Sequence, residues 1–167
     1  MPSRYAYIGV ALFLFLQFFN SFLTVQNILY DVSYSHKEDR YMSYVYNNPN
    51  PKGKNVGDCV IRAISICEDR PWEDVYTDLT FQGLQDCDMP SSNAVWGNYL
   101  KKHGFRSSVI PNDCPDCYTI ADFASEHPQG KYILATGTHV VCVIDGNYYD
   151  AWDSGNEIPA YLWRKEN

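Results

Sequence analysis

The chain has 167 residues, of which 46% are hydrophobic and 20% are charged, and its net charge is −7. This length allows one domain with a sizeable core, and the composition is typical of a globular protein. The acidic balance and the absence of a run of basic residues exclude a nucleic-acid footprint.

The first 41 residues form a leader with a character of its own. Residues 5–25 are strongly apolar and follow Arg4. This stretch approaches the roughly 20 residues that span a bilayer, and it lacks a small-x-small cleavage site, so it favours a membrane anchor over a cleaved signal. The alternative is a non-native extension, with Met42 as the functional start and a cytoplasmic location in a bacterial or phage-infected cell. We therefore expect a leader at 1–41 and a domain at 42–167.

Apolar spacing predicts four helices after a lead-in at 47–54 that is rich in Asn and Pro. Each prediction rests on a periodic apolar stripe behind a residue that favours a helix start. The predicted starts are Cys59, Pro71, Ser91 or Ser92, and Thr119. The second helix is predicted to include Tyr76 and Phe81 in its apolar face.

The remaining periodic segments are strand-like. One short strand is predicted at 105–110, and four more fill the last forty residues. These four are 131–136, 139–144, 147–152 and 158–164. Asp145-Gly146 is a typical two-residue hairpin turn between the middle two. Because helices come first and an antiparallel sheet comes last, the predicted fold class is α+β.

Cys59 is the strongest candidate for a chemical role. It lies at a predicted helix start, after Gly57, which permits tight backbone geometry, and Asp58, which is a good N-cap residue. A thiol in this position feels the positive end of the helix dipole, which favours the thiolate. Cys67 and Cys142 lie inside apolar segments and are typical of buried structural thiols. We therefore predict Cys59 as a nucleophile.

His139 is the candidate base, because it begins an apolar strand after a Gly-Thr turn and its ring can project from the sheet edge into a cleft. A neutral imidazole beside a thiol can take its proton. The other histidines suit other roles. His103 and His127 lie near predicted helix ends, where a cation complements the dipole, and His36 lies in the leader.

The hairpin predicts which carboxylate orients the imidazole. With a two-residue turn, His139 pairs with Trp152, and Asp150 lies on the same face at the diagonal position, roughly 7–8 Å away by Cα. A three-residue loop would instead place Asp153 opposite His139. Asp150 is therefore preferred and Asp153 is the alternate, although Asp153 is also suited to cap the turn that follows it.

Cys114 and Cys117 form a single CxxC motif. A structural zinc site would need two further ligands, such as Cys87 with His103 or His127, and there is no second CxxC motif. The βαβ context of a redox CxxC is also missing. We interpret the motif as a turn held by packing or by a labile disulfide, and we predict no metal and no cofactor.

The Gly-Asp-Cys run at 57–59, the strand that begins at His139 and the Tyr-Asp-Ala-Trp run at 149–152 resemble the papain-like cysteine peptidase superfamily. Over residues 48–163 the chain is similar to small papain-like proteins of bacteriophages and gut bacteria. The resemblance implies a papain-like fold and a cysteine peptidase that forms a thioester with a peptide or protein substrate. It also implies that Trp152 shields the bond between the histidine and the aspartate from water.

One position departs from the pattern of the superfamily, which often places an oxyanion-hole Gln six residues before the nucleophile. Gly53 stands there, so Asn55 and the backbone N–H of Cys59 are the predicted donors. Two other functions stay open. One is acyl transfer to an amine, as in transglutaminase-like chemistry, and the other is a non-catalytic papain-like interaction module. The missing Gln favours the module, and the presence of Cys59, His139 and Asp150 argues against it.

Overall fold

A computed structural model describes residues 43–112 and 117–165. The predicted leader at 1–41, with its candidate membrane segment, lies outside the described residues. Within the two described ranges, no helix is long and apolar enough to cross a bilayer.

Four helices occur in the described residues, and they are the four that the sequence predicts. They are α1 (Cys59–Glu68), α2 (Trp72–Asp86), α3 (Asn93–Lys102) and α4 (Ile120–Glu126). The predicted start of α4 at Thr119 is confirmed by a capping box, because Thr119 Oγ1 accepts from the backbone N–H of Asp122, and Asp122 Oδ2 accepts from the backbone N–H of Thr119. Ser92 occupies the N-cap position of α3 without a side-chain hydrogen bond.

The apolar face of α2 is narrower than predicted. Val75 and Leu79 are fully buried, whereas the side chains of Tyr76 and Phe81 are 47% and 61% exposed. At 100° per residue, Leu79 lies only about 40° around the helix from Val75, whereas Tyr76 and Phe81 point well away from that line. Including Tyr76 and Phe81 in the buried face was therefore wrong.

In the part of the chain that the structure describes, six strands form one mixed sheet. They are β1 (Tyr44–Tyr46), β2 (Phe105–Val109), β3 (Lys131–Ala135), β4 (Val140–Ile144), β5 (Asn147–Asp150) and β6 (Tyr161–Lys165). Their order is β1-β5-β4-β3-β6-β2, and every neighbouring pair is antiparallel except β1 with β5. The α+β class is confirmed, but the purely antiparallel sheet is corrected to a mixed one. A three-residue strand such as β1 is too short to show a period.

The two faces of the sheet carry different helices. On one face, α1, α2 and α3 pack on alternate residues of β3 and β4, such as Ile133 and Cys142. On the other face, α4 packs on the intervening residues, such as Leu134 and Val143. This alternation is the usual consequence of the two-residue period of a strand. On the first face, α1 packs against β4, and the start of α1 lies close to the start of β4.

Candidate functional site

The β4–β5 hairpin sets the register of the site. Asp145 and Gly146 have φ angles of 48° and 84°, and two consecutive positive φ values are typical of a type I′ turn. Ile144 pairs with Asn147 across this turn, as the sequence predicts. The two-residue loop is therefore confirmed, and His139 and Asp150 come into contact just beyond the last paired residues of the hairpin, Cys142 and Tyr149.

Asp150 holds the imidazole of His139. The distance from His139 Nε2 to Asp150 Oδ2 is 2.5 Å. The same carboxylate accepts two further hydrogen bonds of 2.7 Å, one from Ser154 Oγ and one from the backbone N–H of Ala151. The Trp152 ring lies beside the imidazole, with 5.2 Å between the ring centroids, and its own side chain is 42% exposed. The carboxylate is thus fixed by neighbours, and the imidazole is fixed by the carboxylate.

Cys59, the first residue of α1, is the third member of the candidate site. Its thiol lies beside the side chain of His139 and the backbone N–H of Val140, and both lower the pKa of the thiol. Because Asp150 takes Nε2 of the imidazole, Nδ1 is the nitrogen that is left for the thiol. The side chains of Cys59, His139 and Asp150 therefore lie in one continuous row that joins α1, the start of β4 and the end of β5, with a hydrogen bond between His139 and Asp150.

The two reactive groups shift each other's proton equilibria. Burial alone raises the pKa of the Cys59 thiol, but the hydrogen bond and the charge of His139 outweigh burial and hold that pKa below its ordinary value. Burial likewise lowers the pKa of His139, but the bonds to Asp150 and Cys59 raise it to about 9. Both shifts favour a thiolate beside an imidazolium at neutral pH.

Asp58 does not play its predicted part. It occupies the N-cap position of α1, but its side chain makes no capping hydrogen bond. Its carboxylate instead accepts from Arg62 on Oδ1, and from Trp72 Nε1 at 3.1 Å and Asn50 Nδ2 at 2.9 Å on Oδ2. These three donors engage the carboxylate, so the Asp58 side chain accepts no hydrogen bond from the backbone amides in the first turn of α1.

Arg62 connects this carboxylate to the site. Its Nη1 bonds Asp58, and its Nη2 lies 3.9 Å from Asp150 Oδ1. All three residues are only 4% exposed. Charges of alternating sign therefore run from Asp58 through Arg62 and Asp150 to His139, an order that offsets the cost of burying each charge.

Asp153, the alternate third member, is engaged elsewhere. Its Oδ1 accepts from Tyr148 Oη at 2.6 Å and from the backbone N–H of Gly155 at 3.2 Å. The two-residue turn accounts for this, because only a three-residue loop would have placed Asp153 opposite His139. It caps the turn that follows it, which is the other role that its sequence context suggested.

The predicted oxyanion donors differ in how the structure presents them. The backbone N–H of Cys59 is among the first amides of α1, which have no partner within the helix. Asn55 is exposed on the loop that precedes α1, and its side chain makes no hydrogen bond to the described residues. Gly53 is exposed on the same loop with a φ of 60°, and a Cβ there would meet open space. The amide of Cys59 is the donor that the fold places directly at the thiol.

The other cysteines and histidines among the described residues lie outside this arrangement. Cys67 and Cys142 are buried, and burial followed by contact with Cys67 raises the pKa of Cys142 well above its ordinary value. His103 contacts the Glu68 carboxylate, and His127 contacts a backbone carbonyl. Among the free cysteines of the described residues, Cys59 is therefore the half-buried one, and it has an imidazole as its neighbour.

The CxxC motif is described only in part. Cys117 is disulfide-bonded, and Cys114 lies outside the described residues. A disulfide sulfur is not a thiolate ligand, so the alternative zinc site loses one of its donors. Within 43–112 and 117–165, no three His, Cys, Asp or Glu side chains form a group that could hold a metal ion.

Two contributors to the site were missed from the sequence. Ser154 was considered only as part of a turn, and its hydroxyl turns out to be fully buried against Asp150. Arg62 left a clearer signal, because it is the one basic residue on a helix whose other residues are largely apolar. A buried charge almost always has a partner, so its position three residues after Cys59 could have indicated a nearby carboxylate.

No family model, no curated protein and no solved structure matches this chain. The functional interpretation therefore depends on the geometry of Cys59, His139 and Asp150. That geometry is specific in chemical terms, because a nucleophile, a base and an orienting group in hydrogen-bond contact are the parts that nucleophilic catalysis needs.

Proposed function

We propose that this protein is a thiol-dependent hydrolase of the cysteine peptidase type, with a papain-like arrangement of its site and a peptide or protein substrate. The observation that carries the proposal is the juxtaposition of the Cys59 thiol with the His139 imidazole, which Asp150 holds by a hydrogen bond. A purely structural role for these residues leaves their arrangement unexplained. A buried structural thiol needs no imidazole beside it, and a structural imidazole needs no carboxylate that is itself fixed by further donors.

The first half of the reaction forms a thioester. The Cys59 sulfur attacks the carbonyl carbon of the substrate, and the negative charge that develops on the oxygen is met by the backbone N–H of Cys59. The tetrahedral intermediate then collapses, the bond to the leaving amine breaks, and the His139 imidazolium gives its proton to that amine. Asp150 holds the ring in place and stabilises its positive charge.

The second half regenerates the thiol. His139, now neutral, takes a proton from water, and the oxygen of that water attacks the thioester carbonyl. The carbon–sulfur bond breaks, the acid product leaves, and the proton returns to the pair formed by Cys59 and His139. An amine in place of water would give acyl transfer through the same intermediate, so the acceptor decides between hydrolysis and transfer.

Labelling with a peptidyl epoxide tests the proposal, because this probe reacts with an activated thiolate beside an acid. We expect Cys59 to be labelled far faster than Cys87, which is exposed but lies outside the site. His139→Ala should slow labelling by about 10² or more, the usual contribution of a positioned acid or base. Mass spectrometry of the digested protein locates and counts the label.

Two further variants control the result. Cys59→Ala should abolish fast labelling, and Cys87→Ala should leave it unchanged. Labelling of Cys59 and Cys87 at the same slow rate, with no response to His139→Ala, would contradict the proposal.

A further inference from the structure

Strand β2 lies at the edge of the sheet farthest from β1, and it pairs with β6 along one side only. Its ladder continues past the strand, because the backbone N–H of Ile110 donates to the carbonyl of Ala160. Hydrogen-bonded pairs alternate along an antiparallel ladder, so the N–H and C=O groups of Ser107 and Val109 point away from β6. Among the described residues, no strand accepts or donates to this outer row.

Strand β2 carries one charged side chain, Arg106, but among the described residues it lacks several other protections that are usual for an edge strand. Natural sheets blunt their edges with proline, inward-pointing charges or bulges. The sequence of β2 has no proline, its register with β6 runs without a bulge from Phe105 to Val109, and Val109 is largely exposed. An open edge of this kind is a template for an added strand.

A trough flanks β2 on each face of the sheet. On the face that α3 covers, a cavity of about 410 Å³ is lined by Lys101, Gly104, Phe105, Arg106, Ser107 and Trp163. On the opposite face, a cavity of about 460 Å³ is lined by residues that include Arg106, Ser108, His127, Tyr132 and Arg164. Because successive side chains of a strand point to opposite faces, a strand added beside β2 would place its side chains alternately in the two troughs.

The elements around this edge carry mainly basic side chains, although Lys165 Nζ lies 3.8 Å from the Glu68 carboxylate. Elements α3, β2 and β6 contain five Lys and Arg residues and no Asp or Glu, in a chain whose net charge is −7. In the β2–β6 register, Arg106 lies directly opposite Arg164, and like charges in that position are destabilising. The fold thus gathers positive charge on one edge, although the sequence has no basic run.

One buried donor in the helix-side trough also lacks a partner. Trp163 is buried and lines that trough, and its indole N–H makes no hydrogen bond to the described residues. A buried donor without a partner costs free energy at this position.

We propose that β2 binds an extended, acidic segment of a partner protein, which adds to the sheet as a seventh strand. The backbone groups of Ser107 and Val109 would hold the added strand, and alternate side chains would enter the two troughs. Carboxylates of the added segment would meet the basic residues of α3, β2 and β6. A second copy of the same edge fits less well, because two basic edges repel each other. This proposal does not depend on the chemistry at Cys59.

Fluorescent octapeptides that alternate Val or Thr with Glu are the probe, and the same peptides with Lys in place of Glu are the control. We expect the Glu peptides to bind the full chain at least tenfold more tightly than the Lys peptides. Ser107→Pro removes an outward N–H without touching the β2–β6 ladder, so it should weaken binding at least tenfold. Ser107→Thr keeps the N–H and should bind like the wild type.

If Ser107→Pro does not fold, amide hydrogen exchange of the wild-type protein tests the proposal without any substitution. In the wild type, the amides of Ser107 and Val109 should exchange fast in the free protein and slowly once the Glu peptide is added. Equal binding of Glu and Lys peptides would overturn the proposal. So would slow exchange of both amides in the free protein, whether its own residues or a second copy protect them.

Discussion

Arg62 supplies the positive charge between the two buried carboxylates of the candidate site. Its guanidinium lies between the buried carboxylates of Asp58 and Asp150, and Asp150 in turn holds His139. Two carboxylates buried close together repel each other, and a cation between them offsets that repulsion. Arg62 therefore acts through Asp150 rather than on a substrate, which makes it a positioning residue.

Replacing Arg62 with methionine should damage both stability and reactivity. Breaking a buried ion pair by removing one partner costs about 3–5 kcal/mol, because the other charge stays buried without compensation. The imidazolium of His139 should also lose support, so alkylation of Cys59 at neutral pH should slow by about tenfold, which corresponds to one pKa unit. Chemical denaturation and the alkylation rate measure the two effects.

Two variants separate these effects from general damage. Arg62→Lys keeps the charge but not the planar fork, so it should recover part of the alkylation rate. Arg164→Met makes the same kind of change at an exposed position, and it should alter the unfolding free energy by no more than about 0.5 kcal/mol. A full alkylation rate in Arg62→Met would show that Arg62 has no part in the site.

The β4–β5 hairpin brings His139 and Asp150 together in the candidate site. Its two-residue turn fixes which residues of β5 share a face with His139, and a slip of one residue would turn Asp150 to the other face. This part of the site could be predicted from the sequence, because Asp-Gly between two apolar runs strongly favours one turn type.

Gly146→Ala should destabilise the protein by about 1–2 kcal/mol, because the φ of 84° at this position is unfavourable for a residue with a Cβ. The added methyl group itself meets only ordinary contacts at 3.5 Å or more, so the cost arises from the backbone. Gly137→Ala is the matched control, since Gly137 has no positive φ and open space around it. Equal unfolding free energies for the two variants would contradict this account of the turn.

Other parts of the elements could not be predicted, for identifiable physical reasons. Strand β1 is held by parallel pairing with β5, and three residues carry no readable period. Asp58 has the residue type and the position of an N-cap, but Arg62, Trp72 and Asn50 compete for its carboxylate. Propensity describes a residue in its local segment, whereas these outcomes depend on partners that are distant in the sequence.

At the scale of the whole molecule, the site joins two layers. Cys59 and Arg62 come from α1, whereas His139 and Asp150 come from the sheet. The distance between thiol and imidazole therefore depends on how α1 packs on β4. The α+β class followed from the order of the predicted elements, but this packing depends on side-chain fit between layers, which a single sequence does not reveal.

Ile64→Ala should therefore reduce reactivity more than its effect on stability alone explains. Ile64 is fully buried where α1 meets the sheet, and its truncation should cost about 2–5 kcal/mol. Ile120→Ala is the matched control, because Ile120 is equally buried but lies on the opposite face of the sheet. We expect the folded Ile64→Ala protein to lose Cys59 alkylation rate and the folded Ile120→Ala protein to keep it. Equal alkylation rates in the two variants would show that the α1 packing does not set the geometry of the site.

The central claim is that Cys59 and His139 form a thiolate–imidazolium pair, and the pH dependence of iodoacetamide alkylation at Cys59 tests it most directly. The lowered pKa of the thiol predicts that its rate in the folded protein rises at a lower pH than in the denatured protein, and the raised pKa of His139 predicts a second change near pH 9. In denatured protein, the rate should instead rise in one step near pH 8.5, as for a free thiol. His139→Ala should move the folded profile toward the denatured one. Identical single-step profiles for folded and denatured protein would contradict the account.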